Sequence, residues 1–492
     1  MSYKTILAID QSTQSTKAAL FDERLNLVSS HALAHRQYYP QNGWVEHDAQ
    51  EIFDNLLKAA KGALDGADMS RLQAVAISNQ RETVVFWDRE TLLPCRKAIV
   101  WQDGRADEIC KRIKGSEERV LELSGMPLSP LFSAAKIRWA IENDEAVKLL
   151  LEQKRLCVGT VDAYLVHRLT GSYACDVTNA CRTQLMNIHN LSWDDELCGL
   201  FGIDKDILPE ISFSDRVFGM TDIGGLLNRK IPLCGVVGDS QGAFFALGCH
   251  EKGLAKTSYG TGSSVMANVG RKAVISKSLA ATVGIAAQGD VDYALEGNIS
   301  HSADVVSWLC GEMELCPSPC ETEDIAISAE GTGGVYIVPA FTGLGAPWFI
   351  PSARGIICGL NRATSRAHVV RAGLEAIAFQ IADVLRAMEM EAGLSVRQLS
   401  ADGGASVNGF LMQFQADVLG GDVYVAQQQN LSAMGAAMLA GIGTGIFKGK
   451  ESAVSLAGEK HRYTASMDAD ERARLLDGWR KAIETAMFAA RL

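Results

Sequence analysis

The chain has 492 residues, more than one hydrophobic core usually serves, so two or more domains are expected. Hydrophobic residues make up 47% and charged residues 21%, which excludes a disordered chain. The net charge is −11 with no basic run, which excludes a nucleic-acid partner, because phosphate backbones are held by clustered Lys and Arg.

The opening MSYKTILAID lacks the long apolar region and cleavage site of a secretory signal. No window approaches the ~18 apolar residues of a membrane span, so no membrane partner is expected and the chain is expected to be cytoplasmic. The twelve Cys are scattered and read as reduced core thiols. Cys316 and Cys320, in CPSPC, form the one close pair. Zinc takes about four ligands, and no second pair lies near, so no metal is expected there.

Residues 5–9 and 17–21 are apolar runs flanking DQSTQST, which predicts strand, tight polar turn, strand. A third run at 25–29 extends this to a meander, unlike the strand–helix–strand opening of a dinucleotide-binding domain. Apolar spacing predicts a helix over 49–64. Strands are predicted at 74–78, ending in NQRE, and at 98–101, ending in QDGR. This alternation predicts an α/β layered domain, with ligand positions at 79–82 and 101–105 beyond the strand ends. Farther on, LAKTSYGTGSSVMANVG repeats the shape of ILAIDQSTQSTKAALFD about half the chain downstream. A duplicated domain explains the echo, and an ordinary Gly/Ser/Thr turn is the alternative. The boundary falls near 248–252, giving domains 1–248 and 249–492. Helices are predicted at 367–392, 410–419, 432–440 and 468–491.

No G-x-x-x-x-G-K-[ST] occurs, so a P-loop is not the phosphate site. Two hairpin turns facing each other across a cleft can grip a triphosphate through backbone amides and hydroxyls. DQST and YGTGSS suit that role, with Asp10 as a carboxylate for hydrated Mg²⁺ and Lys17 as a positive charge. No GxGxxG follows a strand and opens a helix, which counts against a nicotinamide redox enzyme. Asp239, in GDSQGA, reads locally either as a helix cap or as a catalytic carboxylate.

DQSTQST, GWVEHD, NQRET, AIVWQ, GTVDAYL, TNACRT, NIHNLSWD, GDSQGA, YGTG, YALEG, VPAFTGLGAPW and DGGASVNGFLMQFQAD follow one another along almost the whole chain. The set resembles the FGGY carbohydrate kinases, and within them most the glycerol kinases. The resemblance implies two actin-like (RNase H-like) α/β domains around an ATP cleft. It implies ATP and Mg²⁺ as cofactors, a small polyol or ketose as substrate, and a homodimer or homotetramer, although no interface is legible. Asp10 would organise the magnesium. Thr13, Gln14, Ser15 and Lys17 would form the first phosphate loop, and Thr261 and Gly262 the second. Gly404 and Asn408 would contact the nucleotide, with Ala303 and Ser307 near the adenine. Arg81, Glu82 and Trp101 would meet the acceptor, and Asp239 would take the proton from its attacking hydroxyl. The set also separates the chain from non-catalytic actin-like scaffolds, which lack NQRE and the Gly-Asp motif.

Several positions depart from the glycerol kinase pattern. Gln14 stands for Thr, and Ala303 and Ser307 stand for Gly and Gln. In the acceptor pocket Leu131 stands for Tyr, Ser240 for Gln and Ser264 for Phe. Polar partners lost from a buried pocket cost about 1–3 kcal/mol each, so this pocket is expected to take a four- or five-carbon polyol or ketose. Glycerol itself, or a ketopentose such as xylulose or ribulose, is the alternative. The segment GGLLNRK departs from the spacing of a sugar-bisphosphate loop, so that control is not expected.

Overall fold

A computed structural model describes residues 3–491. Strand β1 (Thr5–Gln11) pairs antiparallel with β2 (Ser15–Asp22), and β2 with β3 (Leu27–Ala34). The third strand lies later than the predicted 25–29. Asp22 Oδ1 accepts the Arg24 and Asn26 amides, and the turn they close consumes the first residues of that run. Helix α1 (Ala49–Ala63) starts where the Asp48 carboxylate accepts the Gln50 and Glu51 amides, and it lays Ile52, Phe53, Leu56 and Ala60 on the meander.

Strand β4 (Leu72–Asn79) adds parallel to β1. Strands β5 (Val217–Thr221) and β6 (Ile231–Gly238) pair antiparallel, and β6 lies parallel to β4. The sheet order is β5-β6-β4-β1-β2-β3. In this register Asp10 pairs with Ser78 and Gly238 with Asn79, so the polar residues after β1, β4 and β6 emerge side by side. The predicted strand at 98–101 is only Ala98–Ile99, in a separate five-stranded sheet. Among the further helices of the first half, α2 (Ser133–Asn143), α3 (Val177–Ala180) and α4 (Asp239–Ala246) bear on the site.

The second half carries β7 (Leu254–Tyr259), β8 (Ser263–Gly270), β9 (Ala280–Ala287), β10 (Asp290–Ile299), β11 (Gln398–Asp402), β12 (Asp422–Ala426) and β13 (Lys460–Tyr463). Their order is β9-β10-β8-β7-β11-β12-β13. From β3 across the first sheet, neighbours run antiparallel, antiparallel, parallel, parallel, antiparallel. From β10 across the second they run the same way. The likeness of the two hairpins therefore extends to the whole sheet.

Helices α5 (Asp304–Gly311), α6 (Arg366–Ala392), α7 (Gly409–Leu419), α8 (Leu431–Gly443) and α9 (Ala469–Ala489) follow. The last four lie close to the predicted helical runs. Helix α8 belongs to the second half by chain order, yet it lies on the first sheet, against β1, β4 and β6. It shares one core with Ile6, Ala8, Ala74, Ala76 and Phe244. It also crosses α4 at backbone contact: a Cβ on Gly435 would sit 2.0 Å from the Gly242 carbonyl oxygen.

Among the described residues no helix is long and apolar enough to cross a membrane. The expectation of reduced core thiols is corrected at two positions, while the other ten cysteines are free and most of them buried. Cys310 and Cys316 form a disulfide with Cα atoms 4.5 Å apart, and Cys320 is exposed. The turn after α5 brings Cys316 back onto the helix, a proximity that spacing along CPSPC conceals.

Candidate active site

Asp239 is the first residue of α4, immediately after β6 ends, so the sheet and the helix fix its backbone together. Its Oδ1 accepts the Ser240 amide at 2.6 Å and lies 3.3 Å from Arg81 Nε. Helix α4 favours the charge at this end. At its other end Lys460 Nζ donates to the Leu247 carbonyl at 2.6 Å, satisfying the helix C-terminus. Burial pushes the Asp239 carboxyl pKa above its ordinary value, and Arg81 pulls it back only in part. The side chain keeps 35% of its surface open to the cleft, so water moderates that shift until something fills the cleft.

Arg81 follows β4 and is buried. Its Nη1 and Nη2 donate to Glu296 at 2.8 Å each. The guanidinium fork is thus turned to Glu296, and the edge carrying Nε faces Asp239. Burial works against the Arg81 charge, but Glu296, Glu82 and Asp239 more than offset it. Burial likewise opposes the Glu296 charge, but Arg182 and Arg81 hold its pKa far below the ordinary range. Glu82 has a left-handed backbone (φ 62°), uncommon for a residue with a side chain, and its carboxylate accepts Arg182 Nε at 2.5 Å. Arg182 Nη1 lies 2.9 Å from Glu296.

The other acceptor candidates take varied places. Ser264 Oγ donates to Glu296 at 3.2 Å, which puts it beside Arg81. Ser240 is half-buried next to Asp239. Leu131 is half-buried in the loop before α2. The start of α2, which follows that loop, is tied to the site by the Ser133 hydroxyl, which donates to the Glu82 carbonyl at 2.9 Å. Trp101 instead joins the first hairpin, its Nε1 donating to Thr13 Oγ1 at 3.0 Å.

In that hairpin, Ser12 Oγ accepts the Ser15 amide at 3.2 Å and closes the turn. Gln14 is exposed, and Lys17 Nζ donates to Asn430 Oδ1 at 2.8 Å, tying β2 to the start of α8. Asp10 Oδ1 is enclosed and has no hydrogen-bond partner. Burial, and after it the neighbouring Asp239, push the Asp10 pKa up to about 6. An unpartnered oxygen beside a second carboxylate is a fit for a cation. Among the described residues no cluster of three or more His, Cys, Asp or Glu is placed to hold a metal alone. A one-carboxylate site suits Mg²⁺, which keeps waters and takes phosphate oxygens.

Thr261, Ala303, Ser307, Gly404 and Asn408 line one cavity of ~290 Å³, with Tyr259, Val306, Cys320 and Val407. Gly262 sits beside it, where a Cβ would lie 2.5 Å from the Ile299 carbonyl oxygen, so the turn between β7 and β8 has no room for a side chain there. The Cys310–Cys316 bond ties α5, which supplies one wall, to the strap that carries Pro319 and Cys320 on another.

Four buried residues at this site were not singled out from sequence: Arg182, Gln241, Lys256 and Glu296. Gln241 Oε1 accepts Arg81 Nη1 at 3.3 Å, and Lys256 Nζ donates to Ser258 at 3.1 Å. A lone Glu in the apolar run of YALEG and a lone Arg in TNACRT were the available signals, since buried charges need partners.

The family model for the N-terminal domain of the FGGY carbohydrate kinases matches residues 5–246, and that for the C-terminal domain matches 255–444. The chain is 42% identical over 490 residues to a glycerol kinase from Petrotoga mobilis, spanning 98% of both chains. It is 43% identical over 485 residues to glycerol kinase 1 of Thermotoga maritima, spanning 97% of this chain and 98% of that one. The crystal structure of Plasmodium falciparum glycerol kinase with ADP superposes with a TM-score of 0.94 at 36% identity, over 98% of both chains. The protein therefore belongs to the FGGY family of carbohydrate kinases, ATP-dependent phosphotransferases that act on hydroxyl groups.

Proposed function

We propose that this kinase transfers the γ-phosphate of ATP to a terminal hydroxyl of glycerol, with Asp239 as the base and residues 1–248 and 249–492 as the two domains. The observation that carries the acceptor is the near-complete span, at 42–43% identity, of relatives named glycerol kinase. This replaces the larger acceptor expected from the pocket departures. The cavity lined by Thr261, Ala303, Ser307, Gly404 and Asn408 holds the nucleotide, with Gly262 closing the turn toward its phosphates. Thr13, Gln14 and Ser15 approach the phosphates from the first half, and Lys17 braces that hairpin.

Phosphoryl transfer has a loose transition state, so positioning and charge neutralisation carry most of the catalysis. Asp239 accepts the proton of the attacking hydroxyl, and Arg81 Nε holds the carboxylate toward it. Glu82 and Arg81 meet the remaining hydroxyls. Asp10 would hold magnesium, which would supply neutralisation of the triphosphate when bound.

A four- or five-carbon acceptor is the second reading. It is favoured by the small side chains of Ser264, which donates to the Glu296 that Arg81 also binds, and of Ser240 beside Asp239. Steady-state kinetics with glycerol, erythritol, threitol, erythrulose, xylulose, ribulose and ribitol decide between them. The highest kcat/KM is expected for glycerol. A four- or five-carbon acceptor exceeding it about tenfold establishes the second reading.

A further inference from the structure

Resting on Asp239 as the base, we propose that Thr178 is a positioning residue for the reaction, its hydroxyl fixing the backbone from which Asp239 and Arg81 act. Thr178 lies in α3, a single buried turn, and is not among the residues lining the cavity. Its Oγ1 accepts the Gly238 amide at 2.9 Å, and Gly238 immediately precedes Asp239. Gly238 also supports Arg81: a Cβ built there would lie 2.8 Å from Arg81 Cδ, so the arginine stem rests on this backbone. One amide thus sets both partners of the 3.3 Å Arg81–Asp239 contact.

The direction of the Thr178 bond is forced. A hydroxyl has one proton, and Thr178 Oγ1 gives it to Asp176 Oδ2. Its lone pairs remain for the Gly238 amide, which can only donate. Asp176 Oδ2 also accepts the Thr178 and Asn179 amides, at 2.9 and 3.1 Å. Its own amide donates to Asp162 Oδ2 at 2.8 Å. Burial, and then Asp162, push the Asp176 pKa up to about 7. Oδ1 accepts the Ser214 hydroxyl at 2.6 Å, so the two carboxylate oxygens divide the work and Oδ2 serves the Thr178 turn.

The same turn reaches the site a second way. It exits at Arg182, which pairs with Glu82 and Glu296, two of the three carboxylates around Arg81. Asn179 and Asn79 exchange amide hydrogen bonds at 2.9 and 3.1 Å, which tie the turn to the end of β4.

The test separates the hydroxyl from the packing. Thr178→Val keeps the shape and removes the hydroxyl, and Thr178→Ser keeps the hydroxyl and removes the methyl. T178V is expected to lower kcat by about tenfold to a hundredfold with KM for ATP within about twofold, while T178S stays within about threefold of the parent kcat. T178V within about twofold of the parent, or T178S falling as far as T178V, overturns the proposal. Should T178V not fold, T178A against T178S makes the same comparison. Asp239→Asn, assayed alongside, keeps the two readings apart. Parent-like turnover in D239N removes the base itself, whereas a dead D239N with a parent-like T178V removes only the role of Thr178.

Discussion

Asp239 sits between opposing influences: the α4 terminus and Arg81 favour its charge, and depth in the protein disfavours it. In the proposed reaction it must be ionised to accept a proton. Its pKa is raised above the ordinary 3.8, so the ionised fraction falls at a higher pH than for a surface carboxylate. The acid limb of kcat/KM for the acceptor is therefore expected above pH 3.8, with activity lost as pH falls through it. Asp10, pushed up to about 6, strengthens the same trend until a cation pairs with it. Activity that stays flat down to pH 4 would contradict this account. Asp239→Asn is expected to cost about 10²–10⁴-fold in kcat, the usual worth of a positioned base, while nucleotide binding survives. The candidate residues were legible one by one because each sits in a short motif. Their pairings were not. Arg81 donating both Nη atoms to Glu296 joins residues from opposite halves of the chain, and no local spacing reports that contact.

At the scale of elements, the crossing of α4 and α8 decides how closely the helix that starts at Asp239 lies to the second half. Small residues at Gly242 and Gly435 let the two backbones touch. Gly435→Ala puts a methyl against the Gly242 carbonyl, a backbone atom with no rotamer to move aside. A loss of about 1–3 kcal/mol is expected, read as a lower denaturation midpoint with an unchanged slope. A variant as stable as the parent would mean the crossing can open freely. Most helices were readable because their apolar residues recur at helical spacing. The meander's third strand was misplaced because the Asp22 turn took its first residues. The strand expected at 98–101 shrank to two residues because its pairing belongs to another sheet.

For the whole molecule, the two sheets share one arrangement, but the halves are not independent. Helix α8 covers the face of the first sheet that carries Ile6, Ala8, Ala74 and Ala76. A fragment ending at residue 248 leaves that face bare. It is expected to bind an apolar dye and unfold without a cooperative transition, and a soluble fragment with a sharp transition would contradict this. Were the domains to close on substrates, water would be excluded from the site, wasteful ATP hydrolysis would be limited, and the water that moderates the Asp239 shift would be removed.

The sequence by itself determined the family, the two hairpin turns, most of the helices and the position of Asp239, because strand and helix periods and short motifs are local properties of the chain. Only the tertiary structure decided that α8 crosses onto the first sheet, that Cys316 joins Cys310 and that Thr178 stands behind Asp239. Those contacts join residues remote in sequence or returned by a turn. They arise from packing apolar faces and pairing buried charges, which fix distances that no stretch of sequence encodes alone.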